Sequence, residues 1–439
     1  MGLERITGVR SFKAPFLLDS VPRVYVLTSR SDTRTGPWRN TITFMKIQNV
    51  FRTCLLAIAA VALYTGVTQA KPAKCVPHVP KAGDVLVTGG EDVNENATGN
   101  TEFFDVKSVT WMTGCPTKSA HDEAQIAVSG GKILVIGGET TTAHSKATDI
   151  YSPSTGNFGK KAKSMKASRE DFVAVTLNDG SVLAVGGFDS SENPQNTAEQ
   201  FKKNSWKLLA KKTTVARGAH CGALMTGGSK SGQVLIAGGT SADESSPELD
   251  SAELFDPATG AFTATHGNMN FARAYAVATA LPDGTVLITG GIDSSLIARN
   301  TAEIFDPDTG DFTQTAGNMH SGRVDHSATL LLDGTVLIAG GETSYTGGTT
   351  KLNTAEIFDP GTGMFTSTPT VMNDHRDDNT ATLISGSDTS LDGTVLIEGG
   401  FFNGQAESTA EIYHPTLKTF TSTSAMNFAH GEASAALIP

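Results

Sequence analysis

Five arginines recur at near-regular intervals in this chain: Arg169, Arg217, Arg273, Arg323 and Arg376. The residues two and three places beyond each are the ones whose types could do chemistry. They read Asp171 and Phe172, Ala219 and His220, Tyr275 and Ala276, Asp325 and His326, Asp378 and Asn379. His430 stands where an arginine would and is followed by Glu432 and Ala433; upstream, either Asp122 or Glu123 holds the equivalent place. Acids and imidazoles brought to one opening can exchange protons with a substrate, and aromatics among them can stack on a flat ligand. A second group lies nearby in sequence: Tyr345, then Phe401, Phe402 and Asn403, with Asn373, His375, Asp377 and Asp378. Aromatics beside acids and amides suit a sugar or a peptide, held by stacking and directed hydrogen bonds. For catalysis the candidates are Asp325, His326 and Asp378 as acid and base, with Arg376 to hold an anionic sugar.

The elements that position these residues are copies of one another. From Asn300 to Gly341 an aromatic-Asp-Pro turn, a short strand on a Phe, a Met, an Arg and an apolar run lead to a double glycine, and the chain repeats this seven times. The double glycines end at Gly90, Gly138, Gly187, Gly239, Gly291, Gly341 and Gly400, spaced 48, 49, 52, 52, 50 and 59 residues apart. A period near 50 built of strands and turns predicts a β-propeller of four antiparallel strands per blade. The second strand of each unit is apolar almost throughout, which implies burial on both faces. Before Asp84 there is no first strand, whereas a spare one, GEASAALI, ends the chain at residues 431–438. The expectation is therefore an all-β, seven-bladed ring over residues 84–439, with blade 1 closed by the C-terminal strand so that no sheet edge stays open.

The unit Arg-x-x-His, apolar run, double glycine, aromatic-Asp-Pro and outer-strand aromatic resembles the kelch repeat, and the likeness covers residues 84 to 438. The resemblance implies a propeller of the galactose oxidase type. It leaves activity open, because such propellers include binding modules, an oxidase family and sugar isomerases or mutarotases. Oxidases of this kind hold copper with two Tyr and two His, one Tyr being cross-linked to a Cys, and carry a further β-domain after the propeller. Here Tyr151, Tyr275, Tyr345 and Tyr413 fall in no such motif, and the closing strand ends the chain, so neither that domain nor a copper site is expected. His220 and His326 are expected to face the channel one blade apart. With Asp325 they make too small a set for a transition metal, and no metal or cofactor is expected. Asp92-Val-Asn94-Glu-Asn96 begins like a calcium loop, but Ala97 occupies the place of the required Gly, and a solvated loop explains it better.

The internal copies separate scaffold from site. Glu102, Glu199, Glu253, Glu303, Glu356 and Glu411 recur in the third strand, with Asp149 in the remaining blade. They read as partners for backbone groups or for the repeated arginines between blades. Met269, Met319, Met372 and Met426 read as packing at blade junctions. The variable residues at the inner-strand mouth are freer to bind a ligand, and the sector of blades 6 and 7 is the expected patch.

Residues 45–70 combine Lys46 and Arg52, an apolar run from Leu55 to Val67 and small Thr68 and Ala70, the pattern of a secretory signal peptide. Residues 1–44 are expected to be an over-extended start or a leader, and 71–83 an N-terminal tail. The whole chain of 439 residues carries a formal charge of −11. Beyond residue 70 it holds 25 Lys and Arg against 42 Asp and Glu, about −17, which disfavours nucleic acid and anionic lipid. Cys75 and Cys115 flank the first unit and suit a disulfide in an oxidising compartment, while Cys221 reads as a buried side chain. The chain thus reads as a secreted or periplasmic, non-catalytic module for a glycan or a protein, with no membrane anchor beyond the cleaved signal peptide. The alternative is a carbohydrate-active enzyme, sugar isomerase- or mutarotase-like, with a copper oxidase behind it.

Overall fold

Strands such as Val286–Thr289, Val336–Ala339 and Val395–Glu398 are buried at every position. A strand of this kind needs apolar cover on both faces, and one sheet cannot provide it. In the computed structural model, which describes residues 75, 77–159, 162–241, 248–344 and 350–439, each such strand lies second in a four-stranded antiparallel sheet, with six sheets in plain chain order. The expectations for residues 1–70 and for Tyr345 lie outside the described residues. The seventh sheet is the closure: Ser434–Leu437 pairs with Val85–Thr88, which pairs in turn with Thr101–Asp105, and Thr110–Thr113 lies outermost. Register across the closure runs Val85 with Leu437 to Thr88 with Ser434. The innermost strands touch in sequence, and Ser434–Leu437 meets Gln125–Ser129 of blade 2, which completes the ring.

The cores lie between sheets. Val286 and Ile288 of blade 5 pack with Cys221, Ala223 and Leu235 of blade 4, and Met269 fills their junction. Leu337 and Ala339 of blade 6 meet Val395 and Ile397 of blade 7, with Met372 between them. Aromatic pairs such as Phe305–Phe312, with ring centroids 4.9 Å apart, repeat in the outer strands. Tyr151 and Tyr413 take this place in blades 2 and 7.

Cys75 and Cys115 form a disulfide, and Cys221 is buried and free, its thiol pushed up to about 12 by burial. Asp92 Oδ1 accepts the backbone N–H groups of Asn94 and Asn96, so this segment is an Asx-type turn. Among the described residues no helix is long and apolar enough to cross a membrane.

Candidate functional site at the channel mouth

The repeated arginine is a rivet. Arg273 is fully buried and donates Nη1–H to the carbonyls of Gly290 and Thr301, while Nη2 meets Thr301 Oγ1 and Glu303 Oε1 at 3.1 and 3.0 Å. Glu303 also accepts the N–H groups of Asn270 and Phe271 on the segment arriving from blade 4. Arg169, Arg217, Arg323 and Arg376 repeat the pattern. His430 with Glu102, and His121 with Asp149, replace it in blades 1 and 2. The Arg–Glu pair therefore lies within one blade, and the link between blades is a backbone bond. The N–H of the second glycine donates to the carbonyl of the next blade's arginine or histidine in all seven cases, as Gly291 to Arg323 at 2.9 Å. Gly291 has φ +84°, and a Cβ there would lie 2.4 Å from the carbonyl oxygen of Ala274. Glycine is required on both counts.

Two residues past each rivet the backbone turns left-handed. Glu123, Asp171, Ala219, Tyr275, Asp325, Asp378 and Glu432 all have φ between +47° and +54°. This assigns Glu123 rather than Asp122 to blade 2. These turns bond to one another around the channel: Ala219 N–H to Asp171 O, Tyr275 N–H to Ala219 O and Asp378 N–H to Asp325 O, at 2.8–2.9 Å. Tyr275 Oη donates to Asp171 Oδ2 at 3.0 Å. A second layer surrounds the ring, in which the residue after each double glycine bridges to the residue after each rivet. The bridges join Glu91 to Gly431, Asp122 to Glu139, Glu170 to Phe188, Gly218 to Thr240, Ala274 to Ile292, Val324 to Glu342, and Asp377 to Phe401. Blades 4 and 5 thus give the mouth an apolar side, where Ala219, Ala274 and Ile292 cluster with Phe188 of blade 3 and Val324 of blade 6. The remaining blades give it carboxylates.

Burial, followed by the charge of Asp377, Glu342 and Glu432, pushes Asp325 well above the usual carboxylate range. Asp378 is raised by burial and then by Asp325 and Glu432, and Glu123 by burial and then by Glu432, Asp171 and Glu170. Asp122 is pushed up to about 11 by burial beside Glu432 and Glu91. Cations are few in this layer. Lys351 spans Glu342 and Asp377, and His144 faces Glu170 and Glu192; burial opposes the charge on His144, but Glu170 holds it up at about 9. Protonated acids of this kind can donate as well as accept hydrogen bonds.

Several expected site residues move. His220 and His326 do not face the channel. The left-handed residue before each turns its neighbour into the blade joint, so the His326 ring lies against Gly290 of blade 5 with Nε2 2.8 Å from Thr289 Oγ1. The His220 ring lies against Gly186 of blade 3. Burial, then the nearest arginines, depresses both to about 3, so neither serves as a base at neutral pH. Phe172 and Asn379 take the same inward place, against Gly137 and Gly340. Arg376 is a rivet, fully buried and paired with Glu411, and cannot reach a sugar anion. Phe401 packs on Gly431, as Phe188 does on Gly218. Phe402 stacks on His375, with centroids 5.5 Å apart and planes 20° apart. Asn403, at φ +52°, forms with Gly404 the turn of the short hairpin that carries them. Asp171, Tyr275, Asp325 and Asp378 occupy the ring of left-handed turns. The sequence reading passed over Glu139, His144, Glu170 and Lys351; only the position of each next to a double glycine or an arginine, or its place in the loop after a double glycine, could have signalled them.

Two galactose oxidases of Gibberella zeae are 27% identical to this chain over 227 residues, 48% of this chain and 32% of theirs. The match thus spans about a third of those relatives' length. This is a galactose oxidase-like, kelch-type propeller. No family model matches the chain. A copper-bound fungal alcohol oxidase of the AA5 family superposes with a TM-score of 0.56 at 20% identity, covering 75% of this chain and 70% of that one. The structure of YjhT superposes with 0.54 at 13% identity, covering 70% of this chain and 98% of that one. At these identities the likeness shows the fold alone.

A copper set of two tyrosines and two histidines does not fit the residues described here. Tyr151 and Tyr413 are buried in their blades, His220 and His326 in blade joints, and among the described mouth residues Tyr275 is the one phenol.

Proposed function

We propose that this propeller is a secreted or periplasmic recognition module that takes a neutral glycan at the channel mouth without transforming it. The observation that carries the reading is the ring of seven left-handed turns. Glycine would occupy each at no steric cost, yet five hold carboxylates and one a tyrosine, each non-glycine residue costing about 1–2 kcal/mol of backbone strain. Side chains retained against that cost are suited to a ligand. Acids held protonated offer donors and acceptors to hydroxyl groups, and the stacked Phe402–His375 pair offers a flat face on the same rim. The galactose-acting name of the relatives supports a sugar as the ligand class. The disulfide and the signal-like segment support export.

A catalytic reading has one observation in its favour: Asp325 beside Asp378 raises that residue's proton affinity, the kind of carboxylate pairing an acid–base site uses. Glycan-array screening, with mass analysis of each captured compound, separates the two. Binding with unchanged mass, lost in Phe402→Ala and weakened in Asp378→Asn, is expected. A product of altered mass, or binding indifferent to both variants, overturns the module reading.

A further inference from the structure

Blades 2 and 6 solve one electrostatic problem in two ways. In blade 6, Glu342 follows the double glycine and Asp377 follows the next blade's rivet, and Lys351 lies between them, 2.8 Å from Glu342 and in contact with Asp377. In blade 2 the same two places hold Glu139 and Glu170, and the residue between them is His144. The short hairpin after Gly138 makes Glu139 and His144 direct cross-strand partners, while Glu170 is pinned by its bridge to Phe188. One donor atom from each of the three lies within 4.8 Å of the others.

We propose that Glu139, His144 and Glu170 bind one first-row divalent cation of the Zn2+ type at the rim between blades 2 and 3. Lysine can only neutralise a pair of acids, whereas an imidazole nitrogen can ligate. A nitrogen with two carboxylate oxygens is a borderline donor set, suited to Zn2+ over the oxygen-seeking Ca2+. Two further observations favour a metal over a simple ion pair. The His144 and Glu170 side chains are 6% and 8% exposed, so an ion there would meet ligands already stripped of most of their water, and among the described residues His144 Nδ1 has no hydrogen-bond partner. Around it Asp122, the bridge partner of Glu139, and Glu123, beside Glu170, are carboxyls buried among other carboxylates. A divalent ion there would offset the carboxylates of Glu139, Glu170 and Glu192, which gather around His144. Three protein ligands leave a position open, which exposed Glu192 or a water can take.

The test uses tag-free protein stripped with chelator, with Zn2+ uptake read by calorimetry and elemental analysis. One equivalent per chain is expected, with a raised melting temperature, and Glu170→Gln should lose the uptake. His144→Lys should also lose it while melting like the metal-free wild type, because it copies the blade 6 solution. His266→Ala, which removes an exposed surface histidine, should bind as the wild type does. Absence of stoichiometric uptake, uptake undiminished in His144→Lys, or saturation by Ca2+ instead of Zn2+ would each overturn the proposal. It does not rest on the glycan reading, since Phe402→Ala should leave Zn2+ uptake unchanged.

Discussion

Adjacent residues with similar chemistry meet different fates at this mouth. Asp325 and His326 are neighbours, but the left-handed turn at Asp325 sends one side chain to the channel and the other into the joint with blade 5. The aspartate is thereby crowded by other acids, and the histidine is dried beside arginines. Glu398 shows the effect of burial alone. Its inward carboxyl meets Thr380 Oγ1 and is pushed up to about 7 by burial, offset in part by that hydroxyl and by Arg376. The native state thus keeps this proton where the unfolded chain has lost it. Stability from this group is whole below the ordinary glutamate range and is lost as pH rises through about 7. Thermal melts from pH 5 to 8 should show a declining melting temperature, and Glu398→Gln should flatten part of the slope. An identical slope in the variant would show that Glu398 titrates normally.

Among elements, the blade joint matters more than any single sheet. The double glycine ends a fully buried strand, approaches the next blade's backbone too closely for a Cβ, and donates an N–H across the gap. Gly291→Ala should lower stability by about 3 kcal/mol, from left-handed strain, displacement of the Ala274 carbonyl and a weakened bond to Arg323. Denaturant titration measures it, and a loss below about 1 kcal/mol would mean that the joint yields easily. The two short hairpins after Gly138 and Gly400 are additions to this frame, and they carry His144 and Phe402 to the rim.

At the scale of the whole molecule, stability depends on closing the ring. Ala433, Ala435 and Leu437 pack into the core shared with Ile384, Leu396 and Ile412 of blade 7. Removing residues 431–439 would strip that core and leave Val85–Thr88 as an open edge. The truncated protein should aggregate or be cut rapidly by trypsin at concentrations that spare the full chain. Melting and proteolysis unchanged from the full chain would show that closure by this strand is dispensable.

The fold was legible because a period near 50, the double glycines and the spare terminal strand repeat one local pattern, and repetition identifies what each copy must do. Seven blades, four strands in each, the closing strand and the Cys75–Cys115 bond all followed from order along the chain. The side chains that share a space at the mouth did not. The backbone twist that turns His220 and His326 inward, and the approach of Glu139, His144 and Glu170 from two blades, arise only when separate sheets are set around one axis. Local hydrogen bonding and burial are written in each copy of the repeat, whereas the chemistry of the mouth depends on distances between copies, which no single stretch of sequence contains.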